Sequence, residues 1–513
     1  MLFQRLLDRL RTLSRPKRNL IANLVGNSWS AILQLAIIPI YIRLLGDEGY
    51  GLFAFYYTLL GTIQILDFGF SITINREMAR YSVQPNKALE SRNMIRTLEI
   101  LYSLIGLLIG ISIVALAPTI ALRWIGENSL PDSVLIRAIA FMGVLAFLQW
   151  PLTFYQGALV GMQRQVRLMI LQIAMATLRS IGAIMVLQFV SRTIEALLIW
   201  LCIVSLLNTL LIWRFTWASL PQAAQKSTFD SSLLKQIRRF ALGVSASSLI
   251  VTLLTQASGF LLIRLVGLKG FGYYTIASTV GTSIGMLVIP IYNTIAPRFA
   301  SLVAQNDERA LRDLYHFSTQ IMVVIVLPIG CAIAVFAYEL ISLWQGNAIV
   351  AAQITPISQL LIAASMLNGL MNLPYALQLA YGWSDFSAKI GLLMFAVLIF
   401  IYYFAVPTYG ATGAAFAWLV ANILYFVVGV PATHSRVLKG EIRRWYLDDV
   451  LLPLIAILIG ITIIHFVYTP ANTITLALTM ITTVVLTGLA ACLAAWRVRK
   501  WAVAKVRAMF ASA

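Results

Sequence analysis

One basic side chain stands apart from the rest of this 513-residue chain. Arg179 falls at the centre of an apolar stretch, 168–190, about eleven residues from either end. A guanidinium at mid-bilayer costs ~2.5–3.5 kcal/mol even on the lenient insertion scale, so such a residue faces the protein interior or a water-filled cavity. Gln172, Ala176 and Ala183 share its helical face, a polar and small-residue surface. No acidic residue falls at a comparable depth to neutralise it. The chemistry on offer is anion binding, and the alternative is a structural arginine with a partner.

Polar residues at helical spacing extend the pattern. Asn23, Asn27, Ser30 and Gln34 form a continuous stripe along the first apolar stretch. Ser245, Ser248, Thr252 and Thr255 form a similar stripe on the seventh. The fourth carries Gln149, Thr153 and Gln156, and the tenth Ser365, Asn368, Asn372 and Tyr375. Such groups can simply hydrogen-bond helix to helix, at ~0.6 kcal/mol each. Their presence in both halves of the chain favours a hydrated cavity. Pro151 and Pro374 are expected to break their helices and free backbone carbonyls toward it. Asp67, one and a half turns from the end of the second stretch, could carry a coupling proton or sodium ion, or pair with Arg76 or Arg80.

The elements that must position these residues are membrane helices. The chain is 60% hydrophobic and 11% charged, with a mean hydropathy of +0.86, whereas a soluble domain carries about 25% charge. Apolar runs near the ~20 residues that cross a bilayer recur throughout. Fourteen spans are expected, at 20–42, 50–72, 97–120, 137–160, 168–190, 193–213, 240–263, 273–296, 316–340, 353–381, 387–406, 411–432, 450–468 and 473–495. With both termini cytoplasmic, 31 of the 38 Lys and Arg fall inside and six outside. That imbalance follows the positive-inside rule. It also accounts for most of the net charge of +19, which therefore does not imply a nucleic-acid partner. The basic segments 1–19 and 496–513 read as amphipathic anchors on the inner leaflet. The three cysteines and three histidines are scattered, and neither a metal site nor a cofactor site is expected.

An internal repeat organises the spans. IRLLGDEGYGLFAF at 42–55 matches IRLVGLKGFGYYTI at 263–276, pairing Arg43 with Arg264, Gly46 with Gly267, Gly49 with Gly270 and Gly51 with Gly272 at one offset of 221. The same offset sets Asn27 and Gln34 against Ser248 and Thr255. Six spans separate the copies, an even number, so the halves are parallel repeats about an axis along the membrane normal. The expected organisation is an N-lobe at 20–213, a linker at 214–239, a C-lobe at 240–432 and two further helices within 433–495. The glycines supply tight turns and positive φ. Arg43 and Arg264 read as snorkelling anchors or as gate residues.

At these residues the chain resembles the polysaccharide flippases of the multidrug/oligosaccharidyl-lipid/polysaccharide exporter superfamily. The carrying motifs are IPIYIRLLGDEGYGLFAF, LDFGFSITINREMAR, and IRLVGLKGFGYYTIA followed by PRFA. They are specific over about 23–82 and 240–302. The resemblance implies two six-helix lobes in a V shape. It also implies export of an undecaprenyl-pyrophosphate-linked oligosaccharide across the bacterial inner membrane, in company with polysaccharide polymerase and assembly proteins. In that setting Arg179 would contact the pyrophosphate, and Arg76, Arg80 and Arg298 would capture headgroups at the inner mouth.

A drug exporter of the same superfamily handling organic cations is the rival, as is a lipid II flippase. Organic cations call for acids in the cavity, whereas Asp67, Glu99, Glu195 and Glu339 lie near span ends and the mid-depth charge is basic. Asp47 and Glu48 could hint at a membrane glycosyltransferase, yet their loop is short and no nucleotide, nucleophile-elbow or zinc motif is present. The coupling ion, H+ or Na+, is left open.

Overall fold

A computed structural model describes residues 15–511 except 68, 83, 85–86, 126–127 and 468–472. Side chains are described from 25 onward apart from 27, 65, 233–255, 257, 384, 387–388, 465, 467, 506 and 508–511. Among these residues the fold is helical throughout. The helices are α1 (Arg15–Ile63), α2 (Phe70–Tyr81), α3 (Ala88–Thr119), α4 (Asp132–Gly161), α5 (Gln165–Phe189) and α6 (Ile194–Ser219). Then come α7 (Ser231–Thr282), α8 (Gly285–Ala304), α9 (Glu308–Val335), α10 (Ala337–Gln345) and α11 (Ala348–Ala380). The chain ends with α12 (Ser384–Leu424), α13 (Val430–Arg436), α14 (Ile442–Arg444), α15 (Leu452–Val467), α16 (Thr473–Ala494) and α17 (Trp496–Ala511).

Twelve helices among the described residues are long and apolar enough to cross a membrane, where the sequence suggests fourteen separate spans. The difference lies in the turns. Three of the twelve contain a glycine with non-helical geometry where a loop is expected. These are Gly46 (φ 76°, ψ 173°), Gly267 (φ 67°, ψ −177°) and Gly410 (φ 55°, ψ −135°). A single left-handed glycine joins two helices with no other residue leaving helical geometry. Gly46 and Gly267 occupy equivalent places in the repeat and adopt the same backbone conformation.

The repeat extends to an interruption further along. After α1 the chain passes through a 3-10 turn, Gln64–Asp67, and a left-handed Gly69 before α2 begins. At the equivalent place α7 gives way to α8 through turns in which Met286 N–H donates to Ser283 O and Leu287 N–H to Ile284 O, both at 3.0 Å. Pro151 and Pro374, by contrast, sit inside the continuous helices α4 and α11. A proline removes one helical hydrogen bond without stopping a long membrane helix, because packed neighbours hold its course.

The chain divides into two compact units, 1–272 and 273–513. In the first, α3 packs on α4, α4 on α6 and α1 on α5. The middle of α7 lies against α1: Phe55 and Phe260 meet edge to face at 5.5 Å, and Lys269 pairs with Asp47 at 3.4 Å. In the second unit α9 packs on α8, α11, α15 and α16. Its core is centred on Phe299, Tyr315, Met322, Leu373 and Trp445, all buried.

Candidate functional site

Arg179 lies within α5, in a span of 25 residues running from Gln165 to Phe189. Its helix packs on α1 inside the first unit, where Trp29 of α1 bonds to Thr177 of α5. The Arg179 Nε is buried and has no hydrogen-bond partner. Among the described residues no carboxylate lies within ion-pair distance of it. Burying an unpaired donor of this kind costs ~1–3 kcal/mol or more, while the side chain as a whole is only half-buried, so an anion reaches it through its accessible part.

Tyr41 and Tyr56 belong to an aromatic cluster on α1. Tyr41 meets Phe53 at 4.9 Å, Phe53 meets Tyr57 at 5.1 Å, and Tyr56 meets Tyr57 at 5.1 Å. Trp29 donates its indole N–H to Thr177 Oγ1 at 2.9 Å, two residues before Arg179 on the adjoining helix. Trp29 and Tyr57 are both 41% exposed. A cation on a helix that packs against this partly exposed aromatic cluster offers anion binding together with flat apolar surface. The tyrosines and Trp29 are absent from the sequence-based candidates, because aromatic residues in a membrane helix read first as packing.

The polar stripes divide. Gln149 donates to Tyr56 Oη at 2.6 Å and to Ser205 Oγ at 2.9 Å, tying α4 to α1 and α6. It joins the aromatic cluster through Tyr56, as a buttress rather than a free cavity group. Gln156 is half-buried and Gln34 is exposed. Asn368 donates to Asn422 Oδ1 at 3.1 Å, and Asn372 to the Asn368 carbonyl at 2.8 Å. The first of these bonds joins α11 to α12 and the second lies within α11, both in the second unit. The side chains of Asn23, Asn27, Ser248 and Thr255 lie outside the described residues.

Asp67 sits at the interruption between α1 and α2. Its carboxylate accepts from Tyr102 Oη, from Ser71 Oγ at 2.7 Å and from Ser71 N–H at 3.3 Å. It thereby caps α2, where a negative charge meets the unpaired N–H groups of a helix start. Tyr102 is held by Phe154 stacked at 5.1 Å and Trp150 at 5.8 Å. Arg76 and Arg80 engage the buried Glu77, at 2.7 and 3.4 Å. Arg43 and Arg298 are exposed, and Arg264 lies 5.2 Å over the ring of Trp124. Asp47 pairs with Lys269, while Glu48 accepts from Ser129 N–H and Oγ at 2.9 and 2.8 Å. Both carboxylates of that turn are thus engaged in structural bonds.

The sequence model of the polysaccharide biosynthesis protein family matches residues 17–303, more than half of the chain, with Arg179 and Asp67 inside the match. The chain belongs to this family. Among curated proteins, it is 20% identical over 412 residues to a Shigella flexneri protein assigned as an O-antigen transporter, covering 79% of this chain and 95% of that one. Among solved structures, its fold is similar to an inward-facing multidrug transporter of the same exporter superfamily, with a TM-score of 0.66 and 16% identity, over 80% of this chain and 94% of the other. It is similar as well to the lipid II flippase MurJ in an inward closed conformation, with a TM-score of 0.64 and 13% identity, over 91% and 97%. This member of the polysaccharide biosynthesis family is thus a multi-pass membrane protein with the fold of the exporter superfamily.

The scattered histidines come together in part. His316 on α9 lies between Asp449 and Glu441, and His434 on α13 touches the ring of Tyr315 at 5.5 Å. Separations of 125 and 133 residues hide these contacts from any reading of local spacing.

Proposed function

We propose that this chain is a flippase of the bacterial inner membrane. Its substrate is an undecaprenyl-pyrophosphate-linked oligosaccharide repeat unit, moved from the cytoplasmic to the outer leaflet. The carrying observation is Arg179: a cation within a membrane-spanning helix, with a buried unpartnered donor, no described carboxylate beside it, and exposed aromatic faces nearby. Pyrophosphate oxygens accept charge-assisted bonds from the accessible part of this guanidinium. The rings of Trp29 and Tyr57 offer flat apolar surfaces to the sugars. An organic cation would meet repulsion at the same place.

Movement follows alternating access of the two repeat halves. An ion gradient or the membrane potential drives it, with Asp67 as the carrier of H+ or Na+. Family membership and the O-antigen relative support this reading.

Complementation tests it. In a bacterium deprived of its own oligosaccharide flippase, provided with the matching glycan pathway, the wild-type chain restores surface polysaccharide. Arg179→Ala inserts to the same level and does not. Equal surface polysaccharide from Arg179→Ala would overturn the role of this residue.

A further inference from the structure

The buried cluster at the start of α9 has an unusual proton count. His316 is 1% exposed, Asp449 1% and Glu441 5%. The Nδ1 of His316 meets Asp449 Oδ2, and its Nε2 stands 3.2 Å from Glu441 Oε2. A neutral imidazole has one N–H and one bare lone pair. Set between two carboxylates, it makes one hydrogen bond and turns its lone pair against the other anion. That contact is repulsive, and burial makes it more so. Both contacts become attractive when one more proton is present, either on the ring as imidazolium or on a carboxyl oxygen facing the lone pair.

We propose that Asp449, His316 and Glu441 form a buried proton-binding site that fastens the terminal helix pair, α15 and α16, onto α9. The two acids belong to the segment that leads into α15: Glu441 precedes α14, and Asp449 lies in the π-helical turn Trp445–Leu451. Such turns are frequent at functional positions. The far side of Asp449 accepts from Gln320 at 2.8 Å, and Gln320 Oε1 in turn accepts from the backbone N–H of Arg497 at 2.9 Å at the start of α17. One proton therefore sits in a chain of contacts running from α9 to the turn that leads into α15 and to the start of α17.

Other charges set which arm yields when the proton leaves. Glu441 is also held by Arg312 from α9 at 3.2 Å and by Arg444 from α14 at 3.3 Å. Asp313 is occupied by Arg497 of α17 at 2.8 Å. From α13, His434 faces Tyr315 with its Nε2 unpartnered, and the Tyr315 hydroxyl is likewise unpartnered. Tyr446 donates to the Phe426 carbonyl, and the Tyr425 hydroxyl accepts from Gln378 at 3.3 Å. Two arginines remain to Glu441, so its histidine contact is the one that opens on proton loss. The site stands whatever the transported substrate is.

The test uses the full chain in lipid nanodiscs with 15N-labelled histidine. At pH 7 the wild type gives either an imidazolium signal with both ring nitrogens protonated, lost in His316→Gln, or a carboxylic-acid C=O infrared band, lost in Asp449→Asn or Glu441→Gln. A neutral His316 with a bare nitrogen and no such band would overturn the proposal.

Asp449→Asn supplies a second arm. Its amide donates to the lone pair and still accepts from Gln320, so the contacts are satisfied without the extra proton. Between pH 6 and 9, exchange of the 442–464 amides, corrected for the chemical rate, accelerates at least tenfold in the wild type and stays level in Asp449→Asn. A level wild-type profile, or parallel profiles in the two proteins, would equally sink it. None of these readouts involves transport, so they are independent of the flippase assignment.

Discussion

Gly51 and Gly272 each pack against the carbonyl of the residue four positions before the other. A methyl group on Gly51 would collide with Leu268 O, and one on Gly272 would come within 3.3 Å of Asp47 O and 3.2 Å of Gly51 Cα. The two glycines, and likewise the two contacted residues Asp47 and Leu268, are separated by the same offset of 221 that relates the two motifs. Equivalent surfaces meeting in this reciprocal way are the signature of a local two-fold contact. Glycine is needed here for backbone approach, as in small-residue helix contacts of membrane proteins. At Gly46 and Gly267 it is needed for positive φ.

Substitution at this contact is therefore expected to destabilise. Gly272→Leu costs on the order of 1–3 kcal/mol from overpacking, and Gly51→Leu costs more, because its Cβ would lie 2.0 Å from the Leu268 carbonyl oxygen. Because both changes press on the same backbone, the double variant loses less than the sum of the two. Thermal unfolding of purified variants followed by tryptophan fluorescence checks this, and strict additivity would argue against a shared contact.

Gln149→Leu separates buttress from ligand group. It removes the bonds to Tyr56 and Ser205, at about 1 kcal/mol for two such bonds in a bilayer. Transport per folded molecule stays within about twofold of wild type, a change of under 0.5 kcal/mol. A large transport defect in fully folded Gln149→Leu would place this side chain on the substrate instead.

Asp67→Asn keeps the shape of the helix interruption and removes its charge. Ion-gradient-driven transport falls at least tenfold, while exchange down a substrate gradient survives. Tyr102→Phe, which deletes one hydroxyl bond to the carboxylate, gives an intermediate loss, since a bond to a charged group is worth about 1.5–3 kcal/mol. Wild-type gradient dependence in Asp67→Asn would restrict Asp67 to capping α2.

Much of the framework is legible in the sequence because membrane constraints are written locally. Apolar length gives the helices, and the repeated glycines mark the turns at Gly46 and Gly267. Two features mislead. Turns made from one glycine leave no loop, so paired spans run on as single helices, and Pro151 and Pro374 bend to their neighbours rather than ending their helices. The interruption at Asp67–Gly69 carries no proline and passes unnoticed.

The site is less legible than the fold. Arg179 announces itself by the cost of a buried charge. The aromatic cluster on the adjoining helix does not, since Tyr41 and Tyr56 lie more than a hundred residues away and look like ordinary packing. Tyr102 reaches Asp67 across 35 residues, and His316 reaches its two acids across more than a hundred. No periodicity encodes such contacts.

The most direct measurement is transport by the purified chain in proteoliposomes, offered a fluorescent undecaprenyl-pyrophosphate oligosaccharide or an organic cation dye. The account predicts that the lipid-linked sugar crosses, the dye does not, and Arg179→Ala abolishes the crossing with reconstitution unchanged. Export of the dye without the lipid, or undiminished lipid crossing in Arg179→Ala, would contradict it.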